Sequence, residues 1–137
     1  MSETSSSPGG ERAEVELRLP TDSAYVSVLR TTTAGLAARL DFTIDDIEDL
    51  RIAVGEASAM VLPEAAEGSC LDCTFHLSPG ELTIGVSVPT TGEIEPDYDS
   101  FAWQVLSTLA SSAEVDRSEG RFTVRLTMRS SAVGDGL

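Results

Sequence analysis

The sequence predicts an α+β fold, a two-layer sandwich in which a mostly antiparallel sheet carries helices on one face. Three observations predict it. Apolar residues recur at every second position in several short segments, whereas two longer segments repeat them at three- and four-residue steps. Two of the strand-like segments are joined by Ser78-Pro79-Gly80, which reads as a hairpin turn. The order along the chain is strand, two helices, two strands, helix and strand, with a short strand near Ala113 to Val115. At 137 residues and 41% hydrophobic content, the chain suits one domain with a core that needs no disulfide.

The ends, Met1 to Arg12 and Ser130 to Leu137, are Ser, Gly and acid rich and read as disordered tails, leaving a domain from Ala13 to Arg129. Val15, Leu17 and Leu19 alternate with Glu14, Glu16 and Arg18, giving a first strand that stops at Pro20. A first helix follows. Thr21, Asp22 and Ser23 offer capping oxygens, and Tyr25, Val28, Leu29, Thr32, Leu36 and Leu40 supply its apolar stripe. The second helix opens with Thr43 and Asp46 in a capping-box spacing, buries Ile44, Ile47, Leu50, Val54 and Ala57, and ends before Pro63. Strands are predicted over Leu71 to Leu77 and Glu81 to Val88, followed by a Thr-, Gly- and acid-rich loop from Pro89 to Ser100. A third helix is predicted from Phe101 to Ser111, and a last strand from Arg121 to Arg129 with Phe122, Val124, Leu126 and Met128 on one face.

Charge narrows the function. Nine Lys plus Arg against 23 Asp plus Glu give a net charge of −14, and all nine cations are arginines scattered along the chain. A nucleic-acid binder needs a basic footprint to displace counterions, so direct nucleic-acid binding is excluded, and the field favours a basic partner. No run approaches the ~18 apolar residues of a membrane span, and the polar N-terminus is no signal peptide, so a cytoplasmic protein is expected.

Candidate chemistry is sparse. Cys70 and Cys73 form a C-L-D-C spacing, but two cysteines and the single His76 fall short of a four-ligand zinc site. On a strand the two thiols face opposite sides, which reads as ordinary cysteines rather than a redox pair opening a helix. His76 reads as a strand residue with a solvated or hydrogen-bonded ring. The cluster Asp45, Asp46, Glu48 and Asp49 reads as a solvated face that complements the helix dipole, not as a metal site.

The stretch from Asp22 to Ser58, D-S-A-Y-V-S-V-L-R-T-T-T-A-G-L-A-A-R-L-D-F-T-I-D-D-I-E-D-L-R-I-A-V-G-E-A-S, resembles the anti-sigma factor kinases of the RsbW and SpoIIAB type. These are small members of the GHKL superfamily, whose fold is that of the histidine kinase and HSP90-like ATPases. The segment S-F-A-W-Q-V-L-S-T-L-A from Ser100 to Ala110 is similar to the actinobacterial UsfX branch of that group. The resemblance spans about Val15 to Met128 and is most specific in its first half.

The resemblance implies a nucleotide site, and the sequence departs from it. The family's helix motif E-x-x-x-N supplies a general-base glutamate and a magnesium-holding asparagine; here Glu56 matches the first and Met60 replaces the second. A thioether is a poor ligand for a cation that demands oxygens. The family's D-x-G-x-G motif falls on V-P-T-T-G-E-I, so Thr90 replaces the adenine-reading aspartate and only Gly92 remains. The family's later G-x-G falls on Ser100 and Ala102, whose side chains crowd the approach of backbone amides to phosphate. Phe101 and Trp103, two apart on a helix and so about 200° apart, cannot share one pocket, and one is expected in the core. These departures imply that no cofactor is bound, ATP and magnesium binding being weak or lost.

What the resemblance leaves is partner capture. It implies an anti-sigma factor that sequesters an alternative sigma factor of the SigB/SigF type from RNA polymerase and releases it to an anti-anti-sigma antagonist of the STAS class, acting as a homodimer. It also assigns Arg30, in the first helix, to the sigma contact. The alternative implied by the same family is an active serine/threonine kinase that phosphorylates its STAS antagonist, with Glu56 as base. A third possibility, a thiol-regulated interaction module, rests on Cys70 and Cys73.

Overall fold

The computed structural model describes residues 13–131. Five strands and three helices are present: β1 (Ala13–Pro20), α1 (Val26–Arg39), α2 (Ile44–Val61), β2 (Cys70–Ser78), β3 (Glu81–Pro89), α3 (Phe101–Leu109), β4 (Ser112–Asp116) and β5 (Arg121–Arg129). All strand pairs are antiparallel, in the order β1-β2-β3-β5-β4. The hairpin between β2 and β3 turns at Gly80, whose φ of 73° is a left-handed conformation that glycine adopts freely.

Alternation divides the sheet into two unlike faces. One carries Leu71, Cys73, Phe75, Leu82, Ile84, Val86, Val88, Phe122, Val124 and Leu126, all buried against Leu50, Val54, Ala57 and Val61 of α2 and Leu106 of α3. The other is polar, and among the described residues no helix covers it. Asp72 accepts there from Arg18 Nε (2.9 Å) and Arg121 Nη2 (2.8 Å), and Arg121 Nε donates to Ser87 Oγ (2.8 Å). Arg125 pairs with Glu114 at 3.0 Å and Arg129 with Glu81 at 3.4 Å.

The helices differ from the expected pattern in which residues they bury. Asp22 caps a 3-10 turn at Ser23–Tyr25 that leads into α1, its carboxylate accepting from Ala24 N–H at 2.9 Å. The buried face of α1 is Val26, Leu29, Thr33 and Ala37, while Tyr25 and Val28 are exposed. Thr33 fits because its hydroxyl donates to Leu29 O at 2.8 Å, one turn back. The buried face of α1 thus includes two small residues, Thr33 and Ala37. The helix ends in a Schellman motif: Asp41 N–H and Phe42 N–H donate back to Ala38 O and Ala37 O, both at 3.1 Å, with Asp41 at φ 61°.

In α2, Thr43 Oγ accepts from Asp46 N–H at 3.1 Å, as the capping spacing predicts. Two expectations fail at this end. Ile44, in the first turn of the helix, is 78% exposed. Asp46, read as part of a solvated acidic face, is buried and accepts from both the N–H and Oγ of Ser131 at 2.9 Å. Burial pushes the Asp46 carboxyl up, but the bonds from Ser131 and Thr43 outweigh it and hold the group below the usual carboxylate range. Ser130 is buried too, its N–H donating to Gly80 O at 2.8 Å. These two residues therefore belong to the domain rather than to the tail expected from Ser130; 1–12 and 132–137 lie outside the described residues. At the other helix, α3 stops at Leu109 rather than Ser111, because Ser111 N–H joins the sheet by donating to Thr127 O at 2.8 Å.

Candidate functional site

Helix α2 separates two candidate sites. With ~100° per residue, Glu56 and Met60 share one flank of it, whereas Arg51 and Gly55 share the other. The first flank faces α3, and the second faces α1.

On the α3 side, Met60 sits in the last turn of α2 and lines a cavity of about 220 Å³ together with Ala59, Pro63, Ser100, Ala102 and Phe122. The wall opposite α2 is the loop after β3, which contributes Ile94, Glu95, Pro96 and Asp97, and Glu64 adds a third carboxylate. Ile94 and Glu95 are shared with a neighbouring cavity of about 290 Å³ lined by Thr90, Gly92, Glu93, Arg117, Gly120 and Arg121. The structure therefore gathers Met60, Ser100 and Ala102 in one cleft and sets Thr90 and Gly92 in the next. Each volume lies under the ~300 Å³ where ligand clefts commonly begin. Glu56 stands one turn before Met60, half-buried.

The side chains here are committed to local structure. Ser100 Oγ caps α3, accepting from Trp103 N–H at 3.1 Å, from an extended backbone that calls for no glycine. Thr90 N–H donates to Gly120 O at 2.8 Å, and its hydroxyl is turned to the Gly92 and Gly120 carbonyls. Gly92 is exposed, with open space where a Cβ would be. Phe101 is 76% exposed, while Trp103 packs against the core and meets the Tyr98 ring edge-on at 5.2 Å, so the two aromatics part as expected.

On the α1 side lies Arg30, half-buried. A Cβ at Gly55 would stand 2.5 Å from Arg30 Nη2, 3.0 Å from Nε and 3.1 Å from Cζ, so the guanidinium lies on bare α2 backbone. Sequence reasoning missed this seat and the three carboxylates of the cleft. The available signal for the seat was a glycine inside an 18-residue helix, a residue ~1 kcal/mol worse than alanine there.

The cysteines form no pair. Cys73 is buried in the core, where burial and then the Asp72 charge push its thiol up to about 12, and Cys70 is half-buried on the other face. His76 is exposed on β2. Among the described residues no helix is long and apolar enough to cross a membrane.

Comparison with known proteins shows what this chain is similar to. The serine-protein kinase RsbW of Halalkalibacterium halodurans is 42% identical over 74 residues, 53% of this chain and 46% of that protein. The serine-protein kinase RsbW of Bacillus cereus is 43% identical over 96 residues, 69% of this chain and 59% of that protein. Over these stretches the chain is similar to RsbW proteins. It spans about half the length of the curated relatives it matches. No family model matches the chain. In fold, 86% of the chain superposes on 32% of a solved chain comprising the RsbU and RsbW domains of Rv1364c from Mycobacterium tuberculosis, with TM-score 0.68 and 17% identity. The fold thus matches part of that solved chain, in the two-layer order of strands and helices that the sequence predicts; the finer UsfX-like placement rests on the sequence resemblance alone.

Proposed function

We propose that this RsbW-like chain is an anti-sigma factor that holds an alternative sigma factor of the SigB/SigF type without using nucleotide, and yields it to a STAS antagonist. The observation that carries the nucleotide independence is the lining of the α2–α3 cleft. A magnesium–nucleotide complex needs oxygen ligands for the cation, a polar anchor for the base and free amides for the phosphates. The cleft offers the Met60 thioether and the Ala102 methyl, Ser100 is occupied as a helix cap, and the neighbouring cavity offers only the uncharged Thr90. Glu64, Glu95 and Asp97 add negative charge where phosphate charge would arrive. The residues do not fit the ligand.

Capture then falls to surface chemistry. An arginine presents a planar fork of donors that matches a carboxylate bidentately and is enriched among interface hot spots. Arg30 is such a fork, held on α2 and without a hydrogen bond or ion pair among the described residues. Occupying the sigma factor's surface in a stable complex, as one protomer of a homodimer, denies that surface to the polymerase. The net charge of −14 adds a field that speeds encounter with a basic partner and competes with promoter DNA.

The test is a pull-down with tagged protein from the native lysate, with and without magnesium and ATP. Equal recovery of a stress- or development-type sigma factor in both supports the reading; recovery of none removes it. A second reading, an active serine kinase, is favoured by Glu56 standing one turn before Met60 on the cleft flank of α2. Phosphoryl transfer from labelled ATP to a cognate STAS protein, lost in Glu56→Gln, would establish it instead.

A further inference from the structure

The seat of Arg30 has a wider setting. Three arginines on the helical layer, Arg30, Arg39 and Arg51, have no hydrogen-bond or ion-pair partner among the described residues, although carboxylates outnumber cations more than two to one in the chain. Two of the three lie along the seam between α1 and α2. Arg51 precedes Gly55 by four residues and so lies one turn away on the same flank, half-buried like Arg30. Ile44, 78% exposed, lies along that flank as well, two turns before Arg51.

Gly55 is what makes this arrangement possible. Any Cβ there would enter the volume of the Arg30 guanidinium, whereas Gly35, the glycine inside α1, has open space at its own Cβ position. A guanidinium laid on helix backbone has lost part of its rotamer freedom before any partner arrives, which lowers the cost of binding.

We propose that the α1–α2 seam is a two-arginine docking surface for an acidic segment of the sigma factor, with Gly55 as the positioning residue that seats Arg30 and Arg51 as a second donor one turn away. The proposal rests on the anti-sigma reading above and deepens it. The occupant it fits carries two carboxylates about one helical turn apart, roughly 5–6 Å. The chain's overall field favours a basic partner, so the match is local: acidic side chains on that partner meet a stretch of helix surface where two cations are unpaired among the described residues.

The experiment is a double-mutant cycle on binding of the recombinant sigma factor recovered in the pull-down, with Gly55→Ala, Arg30→Ala and their combination. Gly55→Ala is expected to keep or raise the melting temperature, since alanine favours helix, and to weaken binding tenfold or more. In the Arg30→Ala background the same substitution is expected to change binding less than twofold, because its effect runs through Arg30. Arg51→Ala is expected to weaken binding severalfold, and Gly35→Ala to leave it unchanged. Gly55→Ala binding as wild type overturns the proposal, as does an equal loss in both backgrounds, which would mean a methyl group striking the partner directly. The Arg30 Nε–Hε resonance of the free protein is the second measurement. It is expected to move to the averaged position of a solvated arginine in Gly55→Ala, and an unmoved signal removes the seat. If wild-type protein captures no sigma factor the functional reading fails, while this signal still decides whether Gly55 seats Arg30.

Discussion

The polar face of the sheet and the α1–α2 seam use the same residue in opposite ways. On the sheet, Arg18, Arg121, Arg125 and Arg129 each reach a carboxylate, and Asp72 serves two of them. On the helices, Arg30 and Arg51 reach none among the described residues, and Arg30 lies on glycine backbone instead. A paired arginine at a sheet surface fastens neighbouring strands and offers little to a partner, since binding would first break its bond. An unpaired, partly ordered arginine is destabilising or neutral for folding and becomes favourable only when a carboxylate arrives. The difference separates residues that hold the fold from residues available for recognition.

That separation can be broken most directly at Arg30. Arg30→Glu is expected to cost more than ~2 kcal/mol of sigma affinity by titration calorimetry, with the melting temperature unchanged, the size of an interface hot spot. The converse holds at Asp72. Asp72→Ala leaves Arg121 half-buried without its anion and is expected to lower stability by about 1 kcal/mol in urea unfolding, discounted for the site's partial exposure, while affinity stays as in wild type. A large affinity loss there would erase the distinction between the faces.

The ends of the two helices sharpen the comparison further. Asp41→Gly removes a left-handed non-glycine residue from the end of α1 and is expected to raise stability by up to ~1 kcal/mol with no effect on capture. Asp46, whose folded pKa is lowered, contributes stability that is present above its unfolded pKa of about 4 and is lost as pH falls through the lowered value. Wild-type protein should therefore lose stability between about pH 4 and the acid limit more steeply than Asp46→Asn, measured by thermal melts over that range. The smallest effect concerns the thiols: at pH 8 a maleimide should label Cys70 first and leave the buried Cys73, with its pKa near 12, unreacted in folded protein.

Much of the fold was legible in the sequence because strand alternation and the Thr43 cap are local signals. The predicted strand Arg121–Arg129 has the bounds and buried face its alternation calls for, and the short strand near Ala113 is Ser112–Asp116 at the sheet edge. The face of α1 was not legible. Its stripe was weighted toward the large residues Tyr25 and Val28, whereas the buried face includes the small residues Thr33 and Ala37. The acidic cluster misled at Asp46 because its partner, Ser131, is 85 residues away in the chain. In the candidate cleft, Met60, Ser100 and Ala102 were found through the family motif and do meet in space. Glu95 and Asp97 were not found, since a loop without periodicity gives no hint of which side chains turn inward. The Gly55–Arg30 contact was hidden for a related reason: the register between α1 and α2 is set by tertiary packing and leaves no pattern in either helix alone.

The central claim, capture that does not depend on nucleotide, is tested most directly by the affinity of purified protein for its recombinant sigma factor across a titration of magnesium–ATP. The account predicts a dissociation constant that stays constant within twofold from zero to millimolar nucleotide. Binding that tightens tenfold or more as magnesium–ATP is added would contradict it and return the α2–α3 cleft to the role of a working nucleotide site.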